Sequence, residues 1–183
     1  MKIIDQTPLL DANGQLSLVN RIQGMLKYGF SWPSNLEAQA RVIAQLNKVI
    51  EKGHTLFRNQ QLGASEIIVP LILIGTSGIY VMDATPLKGL YQARGDEWGT
   101  LTNGRFQPAN VNILSRTARL AKILQVFFER QGLKLAAPVE PVLLAADPGL
   151  LPDEGERRLL AALVADEQDR LRGLARPLGE QVY

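Results

Sequence analysis

The chain contains no cysteine and a single histidine, His54. Without cysteine there can be no disulfide, no thiolate metal site and no thiol nucleophile. One histidine leaves no His-based zinc cluster and argues against a Ser-His-Asp triad. Also missing is any uninterrupted apolar run of about 18 residues, the minimum for a membrane-crossing helix. The nearest approach, residues 67–82, is broken by Pro70 and by the Gly75–Gly78 stretch. The first residues carry no charged-then-apolar leader pattern. The expectation is a cytoplasmic location with no membrane partner. Charge of one sign is scarce: the net formal charge is +2 and the sequence pI about 9.0. That permits nucleic-acid binding without arguing for it, since dedicated binders concentrate basic charge far more.

What is present suits a folded domain. A chain of 183 residues, 46% hydrophobic and 21% charged, is one domain or one domain with an appendage. Ile3, Ile4, Leu9, Leu10, Leu16 and Val19 are scattered apolar anchors, and residues 16–28 read as a short helix ended by Gly29. Ser34 and Asn35 can cap a second helix with Glu37 near its start. Val42, Ile43, Leu46, Val49 and Ile50 then recur at helical spacing, up to Gly53. A first strand is expected over residues 55–62. Further strands are expected around 89–93 and 98–106, a helix over 112–131 closed by Gly132, and a buried strand over 139–145. Composition changes after Pro148 and Gly149: no aromatic follows until Tyr183, and residues 153–174 read as a helix rich in Leu, Ala, Arg and Glu.

The most informative stretch runs from Pro70 to Gly89. Residues 71–74 are continuously apolar, Gly75 and Gly78 frame a turn, residues 79–82 are apolar again, and Asp83 follows. Short apolar runs bounded by glycines predict a core hairpin covered on both faces. A carboxylate then sits at the end of its second strand.

This pattern resembles the nuclease-related domain (NERD) family, a branch of the restriction-endonuclease-like PD-(D/E)XK fold. The family core reads roughly Asp, four apolar residues, Gly-x-x-Gly, four apolar residues, Glu-x-Lys, three residues and Gly. Pro70 falls on the aspartate, Asp83 on the glutamate, Thr85 on the lysine and Gly89 on the later glycine. The helix with Glu37 resembles the family's leading helix; the later helix and the 139–145 strand resemble its following elements. The resemblance covers residues 36–147. It implies an α/β fold with a restriction-endonuclease-like core, a mixed sheet flanked by helices; the composition adds a C-terminal helix. The expected division is an N-terminal arm over 1–33, the NERD-like domain over 34–149 and a helical appendage over 150–183.

In such a fold two carboxylates hold a hard divalent cation such as Mg²⁺ through oxygen, and a lysine stabilises charge near the nucleophile. Here proline and threonine replace the aspartate and the lysine. The implied site, Glu37, Asp83 and Thr85, is vestigial, and no catalytic residue or cofactor is expected. Asp83 is the one candidate metal ligand, with capping of a turn before Pro86 as its alternative role. The first reading is therefore a catalytically inactive binding or assembly module. Its rivals are a Mg²⁺-dependent nuclease relocated onto Asp83, Glu37 and Asp96 or Glu97, and a protein that self-associates through residues 153–174. If nucleic acid is bound, Arg116, Arg119 and Lys122 fall along one helix side where phosphates could meet them, with Arg94 and Arg105 next; a solvated helix face is the plain alternative. Asp96 and Glu97 otherwise belong to a solvated turn. The Arg94-Gly95-Asp96 adhesion tripeptide is chance. His54 reads as a helix-end residue and Trp98 as packing over the sheet. The Gly75–Gly78 turn lacks the Gly-Lys-Ser/Thr ending of a phosphate loop.

Overall fold

The computed structural model describes residues 1–146 apart from 12, 51, 87–90, 95, 96 and 103. Gly89, Asp96 and the expected helix over 153–174 lie outside the described residues. The elements in order are β1 (Lys2–Asp5), α1 (Leu18–Tyr28), α2 (Trp32–Val49), β2 (Thr55–Gln61), β3 (Ile68–Gly75), β4 (Gly78–Thr85), β5 (Tyr91–Arg94), β6 (Glu97–Thr102), β7 (Arg105–Pro108), α3 (Ile113–Arg130) and β8 (Glu140–Ala145). They form an α/β architecture with two sheets: a mixed five-stranded sheet in the order β1-β2-β3-β4-β8, and a three-stranded antiparallel sheet β5-β6-β7 inserted between β4 and α3.

The expected hairpin is the centre of the larger sheet. Gly75 pairs with Gly78, so Thr76 and Ser77 make a two-residue turn. Gly78, at φ +146°, adopts a backbone that side chains resist, as such tight turns require. Gly75 is needed for a different reason: a Cβ there would lie 2.1 Å from Cδ2 of His54. His54 is thus not a solvated helix end. It is buried just before β2 with its ring on the turn, and its Nδ1 has no partner among the described residues.

Alternation along the strands separates two faces. Phe57, Ile72, Ile74, Ile79 and Val81 pack with Ala121, Leu124 and Phe127 of α3. Leu56, Leu71, Leu73 and Met82 have the opposite parity and are buried too. Arg58 shares their parity and bonds to α2, which places α2 over that face. Burying each large apolar side chain contributes about 1.5–3 kcal/mol, so this double-sided core is the main source of stability.

Three sequence expectations change. Residues 1–33 read as an arm, yet Lys2–Asp5 is a strand pairing in parallel with β2, from Lys2 opposite Thr55 to Asp5 opposite Arg58. α2 begins before Ser34 and Asn35: its N-cap is Ser31, Pro33 lies in the first turn, and Ser34 Oγ donates to the Ser31 carbonyl at 2.8 Å. Proline fits there because the first helical N–H groups need no helical acceptor. The strand expected over 98–106 is divided into β6 and β7, which pair with each other in the smaller sheet. β6 carries Trp98, fully buried and stacked on Tyr91 at 5.3 Å, against Ile113 at the start of α3 and Leu143 of β8.

Candidate functional site

Two polar clusters interrupt this apolar core. The first lies at the end of β4. The β3–β4 ladder runs from Gly75–Gly78 to Leu71–Met82. Continued by one residue, that register sets position 70 across from position 83. Proline has no N–H to carry the ladder further. Cross-strand neighbours in an antiparallel pair share a face, and residues two apart on one strand do so as well. Positions 83 and 85 therefore address the face covered by α3.

α3 delivers Arg116 to that face. Its N-cap is Asn112, whose Oδ1 accepts from the Ser115 N–H at 3.0 Å, as the sequence expectation over 112–131 anticipated. Arg116 follows in the first turn, where the helix dipole disfavours a cation. Its partner offsets that: Arg116 Nε donates to Asp83 Oδ2 at 3.0 Å, and Nη2 donates to the same oxygen at still shorter range. The Asp83 side chain is 7% exposed and that of Arg116 48%. Burial raises the Asp83 carboxyl above its ordinary value of 3.8, and the Arg116 charge and hydrogen bonds only partly counter it. Asp83 is thus neither a turn cap nor an open ligand. Thr85 is buried at the last β4–β8 pair, opposite Ala145.

These residues do not fit Mg²⁺, which demands near-octahedral oxygen ligation. Pro70 offers no side-chain donor, and the single carboxylate is already bound by a guanidinium. The other named residues stand elsewhere. Glu37 is an exposed partner of Arg21 at 3.3 Å. Glu97 is exposed on β6. Among the described residues no three acidic, histidine or cysteine groups gather as a metal site would require. Arg94 lies over the Phe106 ring, 4.8 Å from its centroid, and Arg105 is exposed on β7. Arg119 and Lys122 are exposed on α3, where they line a cleft with Arg130.

The second cluster escaped the sequence reading. Gln39 and Asn59 form a reciprocal amide pair: Gln39 Nε2 donates to Asn59 Oδ1 at 3.0 Å, and Asn59 Nδ2 donates to Gln39 Oε1 at 3.1 Å. Asn59 Nδ2 also reaches Thr7 Oγ1 at 2.7 Å. Arg58 bonds to Gln39 Oε1, Asp5 Oδ2 and the Leu36 carbonyl at 3.0, 3.1 and 2.8 Å. Asn59 has φ +50° and faces unpaired Pro70 between the Arg58–Leu71 and Gln60–Val69 pairs. That left-handed step, which asparagine tolerates better than most residues, turns two consecutive side chains toward α2. The signal was present: Gln39 interrupts the stripe of Leu36 and Val42, and Asn59 interrupts a strand. With its polar atoms satisfied, this cluster is a clamp joining β1, β2 and α2 rather than an open binding site.

No protein-family model matches the chain, and neither a curated protein nor a solved structure matches it.

Proposed function

We propose that the chain is a catalytically inactive NERD-like domain with a restriction-endonuclease-like core, retained as a binding or assembly module. The observation that carries the reading is Asp83 bound by Arg116. In this reading the Arg116 guanidinium supplies to the remaining carboxylate the positive charge that a metal ion and a lysine would bring in the family. The order of helix, hairpin, helix and parallel strand supports the same reading. The test is incubation with DNA and RNA in Mg²⁺ or Mn²⁺. No cleavage is expected. Divalent-dependent cutting that disappears in Asp83→Ala would overturn the proposal. For nucleic-acid binding without cutting, a gel-shift series should show complexes at low salt that weaken steeply as salt rises. With Arg116 engaged, Arg119 and Lys122 remain to carry phosphate contacts.

A second reading, self-association, is favoured by α1. Leu18, Val19, Ile22 and Leu26 follow one another on its outer side, with Phe30 just beyond, and all are 49–85% exposed. Such a stripe presents on the order of 500 Å² of apolar surface, the upper end of what monomers leave in one patch. Two copies joined along it would approach the size of a stable interface. The closed two-fold dimer is the commonest such assembly. Light scattering should give a dimer that Leu26→Glu converts to monomer; a wild-type monomer sinks this reading.

A further inference from the structure

We infer that the cleft between α3 and the β2–β3 connection binds an anionic amphiphile, one hydrocarbon tail on a phosphate or carboxylate head. The cleft holds about 600 Å³, within the range of small-molecule sites. Arg119, Lys122, Val126 and Arg130 recur at spacings of three and four, so they share one side of the helix. The cations stand around a floor that includes Ile123, Val126 and Phe127. A second chamber of about 210 Å³ adjoins it, sharing Leu62, Gly63 and Phe127 as walls. This second chamber is lined mainly by apolar groups such as Phe57, Ile72 and Leu124. Its Gln60 and Gln61 amides already donate to the Gln61 and Ser65 carbonyls at 2.8 and 2.7 Å. A cation-lined cleft thus stands beside a mainly apolar one, the pairing of head and tail that an anionic amphiphile presents.

Among the described residues no carboxylate lines either chamber; Glu66, between Ser65 and Ile67, is the nearest acid on the β2–β3 connection and makes no ion pair with these cations. The single acid of α3, Glu129, accepts from Gln125 at 3.0 Å. Arg119, Lys122 and Arg130 make no ion pair among the described residues. A nucleic-acid strand fits less well, since it needs a continuous basic track and exposed stacking faces. Here Arg116 and Arg94 are engaged elsewhere, and Phe127 and Phe128 pack against the core. The inference uses none of Glu37, Asp83 and Thr85, but it claims for an amphiphile the Arg119 and Lys122 that the nuclease-like reading would give to nucleic acid.

The experiment is calorimetric titration of the full chain with monododecyl phosphate below its micelle concentration. We expect saturable binding that weakens with salt. Dodecanol and inorganic phosphate should each bind at least about tenfold more weakly, because each lacks half of the recognition. The double variant Arg119→Gln/Lys122→Gln should lose about tenfold or more in affinity. Val126→Trp should fill the cleft and abolish binding at an unchanged melting temperature. If the tryptophan lowers that temperature, the double variant still decides, since both its residues are exposed. Undiminished affinity in the double variant overturns the inference, as does inorganic phosphate binding as tightly as the alkyl phosphate. So does an oligonucleotide that binds through these cations while the alkyl phosphate does not.

Discussion

Arg58 and Arg116 each bind a carboxylate, but with burial reversed. The Arg58 side chain is 14% exposed and its partner Asp5 33%; the Arg116 side chain is 48% exposed and its partner Asp83 7%. Arg58 meets three acceptors on two other elements: Gln39 and the Leu36 carbonyl on α2, and Asp5 on β1. Arg116 places both its bonds on one oxygen of Asp83. A buried cation so surrounded is a structural joint, because the fork geometry of guanidinium suits several acceptors at once. A buried carboxylate answered by one half-exposed cation is less completely compensated, and it is the Asp83 carboxyl whose titration moves upward. The first arrangement is what a fold builds to hold itself together. The second leaves one charge of the pair dry and the other wet.

Removing each arginine should separate the two most clearly. Arg58→Ala takes one donor each from Gln39, Asp5 and the Leu36 carbonyl and breaks the link from β1 to α2. Urea unfolding should show a loss of about 3 kcal/mol, the scale of breaking a mostly buried pair. A loss below about 1 kcal/mol would mean that the cluster is ornamental. Arg116→Ala should cost less, about 2 kcal/mol, because water already reaches its side of the pair. Pairing it with Asp83→Asn should recover most of that loss, since the damage is an unanswered buried charge.

Asp83→Asn alone gives a sign that distinguishes the clusters. A carboxyl whose folded value lies above its unfolded one gives its full stabilisation below about pH 3.8, and this is lost as pH rises through the folded value. The asparagine variant lacks that step. Its stability should fall less than wild type as pH climbs above 3.8, and at pH 7 it should equal or exceed wild type. A steeper loss in the variant would show that ionised Asp83 supports the fold. The smallest change is Thr7→Val, which removes the hydroxyl between Asn59 and Asp5. About 1 kcal/mol is expected from the melting curve, and a neutral result would confine the clamp to Arg58, Gln39 and Asn59.

The hairpin and α3 were legible because their signals are local. Gly75 and Gly78 mark a turn, and Asn112 and Gly132 bracket a periodic apolar face. β1 was not legible: four residues whose parallel partner begins at Thr55 carry no alternation long enough to read. The Asp83–Arg116 pair was hidden for another reason. The two are 33 residues apart, and spacing along a helix says which residues share a side, not which strand that side will meet. Arg116 was grouped with Arg119 and Lys122 on that basis, and tertiary packing divided them. Gln39 and Asn59 were visible as polar interruptions, but only the left-handed turn at Asn59 reveals that they face each other.

The order of the five-stranded sheet leaves β1 and β8 at its margins. Unpaired margin strands are templates on which another chain can add a strand. Lys2 and Asp5 bound the four residues of β1, and β8 opens with Glu140 and Pro141. Short length, charge and a missing N–H all discourage strand addition. Extension of the five-stranded sheet from copy to copy, the route into fibrils, is therefore disfavoured at both of its margins.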